Sequence, residues 1–284
     1  MEDRHYITTA AGVRMPKIIY GTAWKKEHTT ELVLQAVQAG FRGIDTACQP
    51  KHYAEASVGE ALAGLKRVGI AREELFVQTK FTPLQGQDPN NIPYDKSAPL
   101  PEQVRQSFRV SKQNLQTKYV DSLLLHSPLF PFSRLKNVWE AMESIYQARD
   151  ARQLGISNCY DLAVLKRLCE EADVKPAVVQ NRFCADTGYD VELRRWCDEQ
   201  GIIYQGFWTL TANPHLLESR TVLLLARKYR KTPPQILFHC LSRFGIVPLS
   251  GTTSRQHMKE DLESLDIELS IEETESVRSL IQQP

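Results

Sequence analysis

Short apolar runs alternate with longer amphipathic segments along almost the whole chain, and no other feature restricts its fold as much. From "KIIYGT" onward the apolar runs are "RGIDTA", "ELFVQTK", "DSLLLH", "ARQLGIS", "PAVVQNR", "IIYQGF" and "GIVPLS". The segments between them carry helical spacing, for example near residues 30–39, 55–65, 101–115, 221–230 and 234–243. In "LKNVWEAMESIYQAR", Val138, Met142 and Ile145 share one face at a period of about 3.6 residues. About eight strand–helix units in a chain of this size specify an α/β fold, a closed (β/α)8 TIM barrel. A doubly wound sheet is the alternative, but no G-x-G-x-x-G follows the first strand. Ahead of the barrel, "YITTAAGVRMP" reads as a β-hairpin with Gly12 in its turn. No linker or low-complexity stretch interrupts the pattern, so residues 1–284 are expected to form one domain.

Charge and cysteine usage narrow the function classes. With 35 Lys and Arg against 34 Asp and Glu, bulk charge selects neither nucleic acid nor an acidic membrane as partner. The densest basic run, "ARKYRK", reads as the solvated end of a helix. Six cysteines are scattered without a CxxC pair or metal-ligand spacing, which points to reduced thiols and no metal. The N-terminus "MEDRHYITTA" has no apolar leader, and no stretch reaches the length of a membrane span. A soluble cytoplasmic enzyme is the expectation.

Four residues sit at or just beyond the ends of apolar runs: Asp45 after "FRGI", Lys80 after "LFVQT", His126 after "SLLL", and Tyr53 in "IDTACQPKHYAEASVGEAL". Strand ends on one barrel rim converge, so these side chains form a candidate proton-transfer site. A buried lysine is costly without a carboxylate nearby, and Asp45 is one strand away. A cation beside a tyrosine lowers the phenol's pKa, which helps it act as a general acid toward an oxygen made negative by hydride addition. Taken singly, the Asp–Lys pair reads equally as a structural ion pair, and His126 as a satisfied core histidine. Segments 81–100 and 127–134 are long, leave the same rim, and bring Tyr94, Phe130 and Phe132 either to a substrate pocket or into loop packing.

The segments "GFRGIDTA…YAEASVGEAL", "QTK", "LLLHSP", "LGISN" and "VVQNRF" resemble the signature segments of the aldo-keto reductases, in family order over nearly the whole chain. The resemblance implies a barrel that binds extended NADPH, with NADH possible, at its C-terminal rim and acts on a small-molecule carbonyl substrate. It implies Tyr53 as proton donor, Asp45 and Lys80 as the groups that tune it, and His126 as carbonyl orienter. Gly21, Thr22 and Ala23, with Asp45, resemble the segment near the nicotinamide. Ser157, Asn158 and Gln180 resemble the hydrogen-bonding set for its carboxamide, although Asn158 also reads as a helix N-cap. Phe207 falls at the stacking position, followed by Trp208, Thr209 and Leu210. Trp24, Tyr53, His126 and Phe130 are the implied substrate contacts.

The chain departs from the family pattern in several places. The segment before the tyrosine is about two residues longer than usual, which leaves His52 as a competitor for the position of Tyr53. In "PLSGTTSRQHMKEDL" the lysine usual at the adenosine 2′-phosphate is missing. One register puts Gly251 and Thr252 at the phosphate pair and His257 at the later arginine. A gapless register puts Leu249 and Ser250 there, with Arg255 as the arginine. In either register Thr253 and Ser254 add backbone amides, and Glu260 and Asp261 are expected at the adenine. The chain stops soon after a capping-box helix start, "SIEE", which implies a short C-terminus and a more open pocket. Arg149 stands where a glycine usually ends the fourth helix. Two other functions remain open on these residues: Schiff-base chemistry at Lys80, and a non-catalytic cofactor-binding subunit. Oligomeric state is left open.

Overall fold

The computed structural model describes residues 3–282. An N-terminal hairpin pairs β1 (Tyr6–Thr8) with β2 (Arg14–Pro16), and Gly12 takes the left-handed turn position at φ 75°. Eight parallel strands then close into a barrel. They are β3 (Ile19–Gly21), β4 (Gly43–Asp45), β5 (Phe76–Phe81), β6 (Ser122–Leu125), β7 (Leu154–Ser157), β8 (Val178–Arg182), β9 (Ile203–Phe207) and β10 (Ile246–Ser250). β10 pairs with β3 to complete the ring. The helices are α1 (Thr29–Ala39), α2 (Glu55–Arg67), α3 (Leu100–Asn114), α4 (Phe132–Gln147), α5 (Leu162–Glu171), α6 (Val191–Glu199), α7 (Pro214–Leu217), α8 (Arg220–Tyr229), α9 (Pro233–Arg243), α10 (Arg255–Glu263) and α11 (Ile271–Arg278).

The two-residue period of the strands sorts their side chains into two layers. In β5, Val77 and Phe81 pack against the helices, while Phe76 belongs to a second cluster with Ile19, Val178, Val247 and Leu249. Met15 and Val13 from the hairpin join that cluster, so the hairpin plugs the end of the barrel where the strands begin. Farther along, the interior turns polar. Gln78 and Gln180 both donate to Gln205 Oε1, and Gln205 donates to Met15 Sδ at 3.2 Å. The barrel is therefore a filled core rather than a channel.

Local signals explain the helix ends. Ser270 and Glu273 form the expected capping box at the start of α11. Arg149 takes φ 61° just beyond α4, a left-handed position that strains any residue but glycine. The "ARKYRK" run closes α8, where Lys228 pairs with Glu273. Gly59 lets α2 meet the end of α3, since a Cβ there would sit 1.9 Å from the Asn114 carbonyl oxygen. That contact seats the helix whose first residue follows Tyr53 by two.

Candidate active site

Asp45 is the last residue of β4, and Lys80 points inward from β5 two residues after Gln78. Lys80 Nζ donates to both Asp45 oxygens, at 2.7 and 2.6 Å, and to the Thr46 carbonyl at 2.8 Å. Asp45 Oδ1 also accepts from Gln78 at 2.8 Å and Gln180 at 3.0 Å. Neither member of the pair exceeds 2% exposure, and such a pair holds only because its hydrogen bonds replace the lost water. Burial pulls the Lys80 ammonium down, and Asp45 opposes that pull.

Tyr53 reaches this pair from the loop beyond β4. The extra length before it is taken up by a turn in which the Gln49 carbonyl accepts from the amides of His52 and Tyr53, at 3.2 and 3.1 Å. Lys80 Nζ lies 5.2 Å from the Tyr53 ring centroid, and the His126 ring stands edge-on at 6.0 Å. His52 turns the other way, stacking on Trp24 with centroids 3.9 Å apart. Tyr53, not His52, therefore stands over the lysine. Among the described residues the Tyr53 hydroxyl has no hydrogen-bond partner. The expected lowering of its pKa is not what this site does. Burial, then the charge of Asp45, push the phenol up and keep it protonated. Lys80 cannot reverse this because Asp45 already neutralises it.

His126 follows β6. Its Nδ1 lies 2.7 Å from Thr82 Oγ1, and its backbone oxygen accepts from Asn158 Nδ2 at 2.8 Å. Burial, Lys80 and His52 together hold its pKa down to about 3, so the imidazole is neutral. Trp24 and Phe130 are exposed at the rim, at 57% and 62%. Tyr94 and Phe132 resolve to loop packing. Tyr94 is buried against Phe81 and donates to the Thr82 carbonyl at 2.7 Å, and Phe132 lies under Arg167.

The residues assigned to the cofactor lie around the same rim with differing freedom. Thr22 is committed, its hydroxyl donating to the Asp45 carbonyl at 2.9 Å, while Gly21 and Ala23 remain partly open. Ser157 donates to the Gln180 carbonyl at 2.7 Å. Asn158 does not cap α5. Asp161 does, and Asn158 instead sits at φ 53° with its amide turned to His126. Gln180 spends its amide on Asp45 and Gln205 and keeps its Oε1 open. Phe207 is half-buried at the end of β9. Trp208 is 48% exposed beneath the Arg182 guanidinium, which lies 4.3 Å from its ring. Thr209 is buried and Leu210 half-buried.

In the last loop the residues of the two sequence registers differ in how open they are. Leu249 is in the barrel core, and Ser250 donates to Asp261 Oδ2 at 2.6 Å, so neither is open to a phosphate. Gly251, Thr253 and Arg255 are exposed, and Lys25 from the first loop donates to the Gly251 carbonyl. Arg255 bonds Gln38 at 3.0 Å, and His257 faces solvent. Asp261 is buried, burial raises it to about 6, and its Oδ2 accepts from Ser250. Glu260 Oε1 accepts from Gln256.

Four residues of the site lie outside the sequence expectations: Gln78, Gln205, Thr82 and Lys25. Gln78 and Gln205 are findable from the chain, since each lies two residues before an assigned residue on the same strand face. Thr82 and Lys25 are placed by tertiary contacts alone.

Comparison with known proteins agrees with this geometry. A glyoxal reductase of Bacillus subtilis is 30% identical over 273 residues, 95% of this chain and 90% of that protein. An uncharacterized oxidoreductase of Caenorhabditis elegans is 29% identical over 278 residues, covering 95% and 80%. Among solved structures, an aldo-keto reductase from a Medee basin deep-sea metagenome superposes with a TM-score of 0.82 at 26% identity, covering 98% of this chain and 96% of that one. The Aldo/keto reductase family model matches residues 17–221, and the chain belongs to that family.

Proposed function

We propose that this protein reduces aldehyde or ketone carbonyls to alcohols with NADPH as hydride donor. The observation that carries the reading is the Tyr53 hydroxyl, unengaged by the protein and set between the Lys80–Asp45 pair and neutral His126. The rim suits a nicotinamide nucleotide. Phe207 offers a half-buried ring face, and Gln180 Oε1 is an open acceptor for a carboxamide. Lys25, Arg255 and the backbone of residues 251–254 supply cation and amide donors for phosphate.

When bound, the cofactor supplies a hydride to the carbonyl carbon. His126 orients the carbonyl oxygen. The C=O electron pair moves onto that oxygen, which takes the Tyr53 proton. Lys80 then lies beside the phenolate that remains, 5.2 Å from its ring centroid. The high pKa of the resting phenol keeps it loaded with a proton at neutral pH. Schiff-base chemistry at Lys80 is disfavoured because three oxygen contacts already occupy its ammonium. A purely regulatory role would leave the donor at Tyr53 without use.

Trp24 and Phe130 favour an apolar or aromatic carbonyl, and the glyoxal reductase relative adds dicarbonyls to the panel worth testing. The test is to follow oxidation of NADPH with both substrate types, alongside tryptophan-quenching titrations of NADPH and NADH. Turnover with tighter NADPH binding is expected. Binding of neither nucleotide would sink the reading.

A further inference from the structure

We propose that Thr82 is a positioning residue that locks His126 in the tautomer carrying its proton on Nε2. This role rests on the proposed reductase function, because only that tautomer can donate a hydrogen bond to a substrate carbonyl oxygen.

Counting donors and acceptors separates the tautomers. Thr82 Oγ1 has one proton and two lone pairs, and a neutral imidazole has one donor and one acceptor nitrogen. The contact between them is 2.7 Å, and Thr82 is 2% exposed. Two arrangements satisfy that distance. In the first, the hydroxyl donates to Nδ1, and the imidazole proton sits on Nε2. In the second, Nδ1–H donates to the hydroxyl, which must then place its own proton elsewhere. Among the described residues Thr82 Oγ1 has no other hydrogen-bond partner, so the second arrangement buries an unsatisfied O–H. The first leaves nothing unsatisfied on the threonine, and among the described residues the remaining donor, Nε2–H, meets no acceptor. That donor is free for a ligand. Burial and the nearby Lys80 charge keep the imidazole neutral, so a third arrangement with both nitrogens protonated does not compete.

Thr82 is itself held in place. Its carbonyl accepts from Gln87 Nε2 at 3.1 Å and from the Tyr94 hydroxyl at 2.7 Å, and Gln87 also donates to the Cys48 carbonyl at 3.0 Å. The His126 amide donates to the Phe81 carbonyl at 2.9 Å. The long loop after β5 therefore folds back to clamp the residue that sets the histidine. With the lock in place, Nε2–H and the Tyr53 hydroxyl are two donors available to one oxygen. Without it, the other tautomer presents a lone pair at Nε2, which repels that oxygen.

The test uses the whole chain labelled with 15N-histidine. Long-range nitrogen–proton correlation reads the His126 tautomer in the wild type, in Thr82→Val and in Thr82→Ser. The wild type and Thr82→Ser are expected to show the Nε2–H form, and Thr82→Val a mixture. Turnover of Thr82→Val should fall about 10- to 100-fold with nucleotide binding unchanged, and Thr82→Ser should recover it. An Nδ1–H tautomer in the wild type overturns the lock even if Thr82→Val fails to fold. So does a Thr82→Val protein that keeps the Nε2–H form and full turnover. If the wild type shows the Nε2–H form but reduces no carbonyl, the lock stands and the reductase reading fails.

Discussion

A tyrosine beside a buried carboxylate–cation knot occurs at both ends of this barrel, and the two differ in how open the phenol hydroxyl is. At the C-terminal rim Asp45 holds Lys80, with Tyr53 alongside. At the opposite end Asp121, which precedes β6, holds Arg72 at 2.8 Å and Arg152 at 3.0 Å and accepts from the Val77 amide at 2.9 Å. There both guanidinium groups lie against the Tyr119 ring, at 4.4 and 4.1 Å from its centroid. Both phenols are pushed up, burial first. A groove of about 1000 Å³ lies at the N-terminal end, yet its charges balance, Arg149 and Arg152 against Glu73 and Asp150. The Tyr119 hydroxyl is buried and, among the described residues, has no hydrogen-bond partner. Tyr53 instead keeps partial access to solvent and a neutral histidine beside it. Having a tyrosine, a carboxylate and a cation does not separate the two sites. Access and the neighbouring imidazole do, together with the choice of lysine over arginine. Lysine is a compact charge, whereas two planar arginines lie against the Tyr119 ring.

The largest expected effect breaks the comparison at its centre. Tyr53→Phe should lose about 10²- to 10⁴-fold in turnover while unfolding as the wild type does. Tyr119→Phe should keep full turnover. Steady-state rates and urea midpoints for both variants check this, and a fully active Tyr53→Phe would erase the distinction between the two ends.

Next come the cations. Lys80→Met leaves the Asp45 carboxylate buried without its cation and should cost about 3–5 kcal/mol of stability, with activity lost as well. Arg152→Met removes a cation whose side chain is 46% exposed, from a carboxylate that still keeps Arg72. It should cost about 1 kcal/mol or less and spare turnover. Equal losses of stability in the two variants would show that the two knots are energetically alike.

A smaller effect concerns Asp261, placed at the rim yet committed to Ser250. Its folded pKa of about 6 lies above the ordinary carboxyl value of 3.8. The unfolded chain therefore loses this proton first as pH rises. Stability falls across that window, and the penalty is complete above about pH 6. Asp261→Asn should be more stable than the wild type by up to about 3 kcal/mol near pH 8, with the gap closing by about pH 4. Urea denaturation at several pH values, without nucleotide, decides it. A constant gap would mean that titration of Asp261 is not the cause. The smallest effect lies back at the N-terminal end, where Arg149→Gly should add about 1 kcal/mol by relieving the φ of 61°. Calorimetry showing no gain would mean that Arg149 makes up for its strain through its contacts.

Much of this architecture is legible in the chain alone. The eightfold alternation of apolar and amphipathic segments specifies the barrel, because strand and helix periods follow from local geometry. Asp45, Lys80 and His126 are visible because they end apolar runs, and strand ends on one rim must converge. Other features depend on contacts between segments far apart in sequence. The turn closed by the Gln49 carbonyl decides that Tyr53 and not His52 faces Lys80. The burial of Leu249 and the Ser250–Asp261 bond are likewise set by tertiary packing. The Tyr53 pKa moves opposite to the expectation because the neighbouring cation is already neutralised, and a charge's effect depends on what else surrounds it.

Periodicity within single segments was enough to set the fold class, the N-terminal hairpin and the residue types that gather at the rim. The state of those residues came from packing: which phenol is open, which contacts fill the lysine ammonium, and that Thr82 meets His126 across 44 positions of chain. Hydrogen-bond partners and desolvation are properties of the packed neighbourhood, and no local pattern in the chain encodes them.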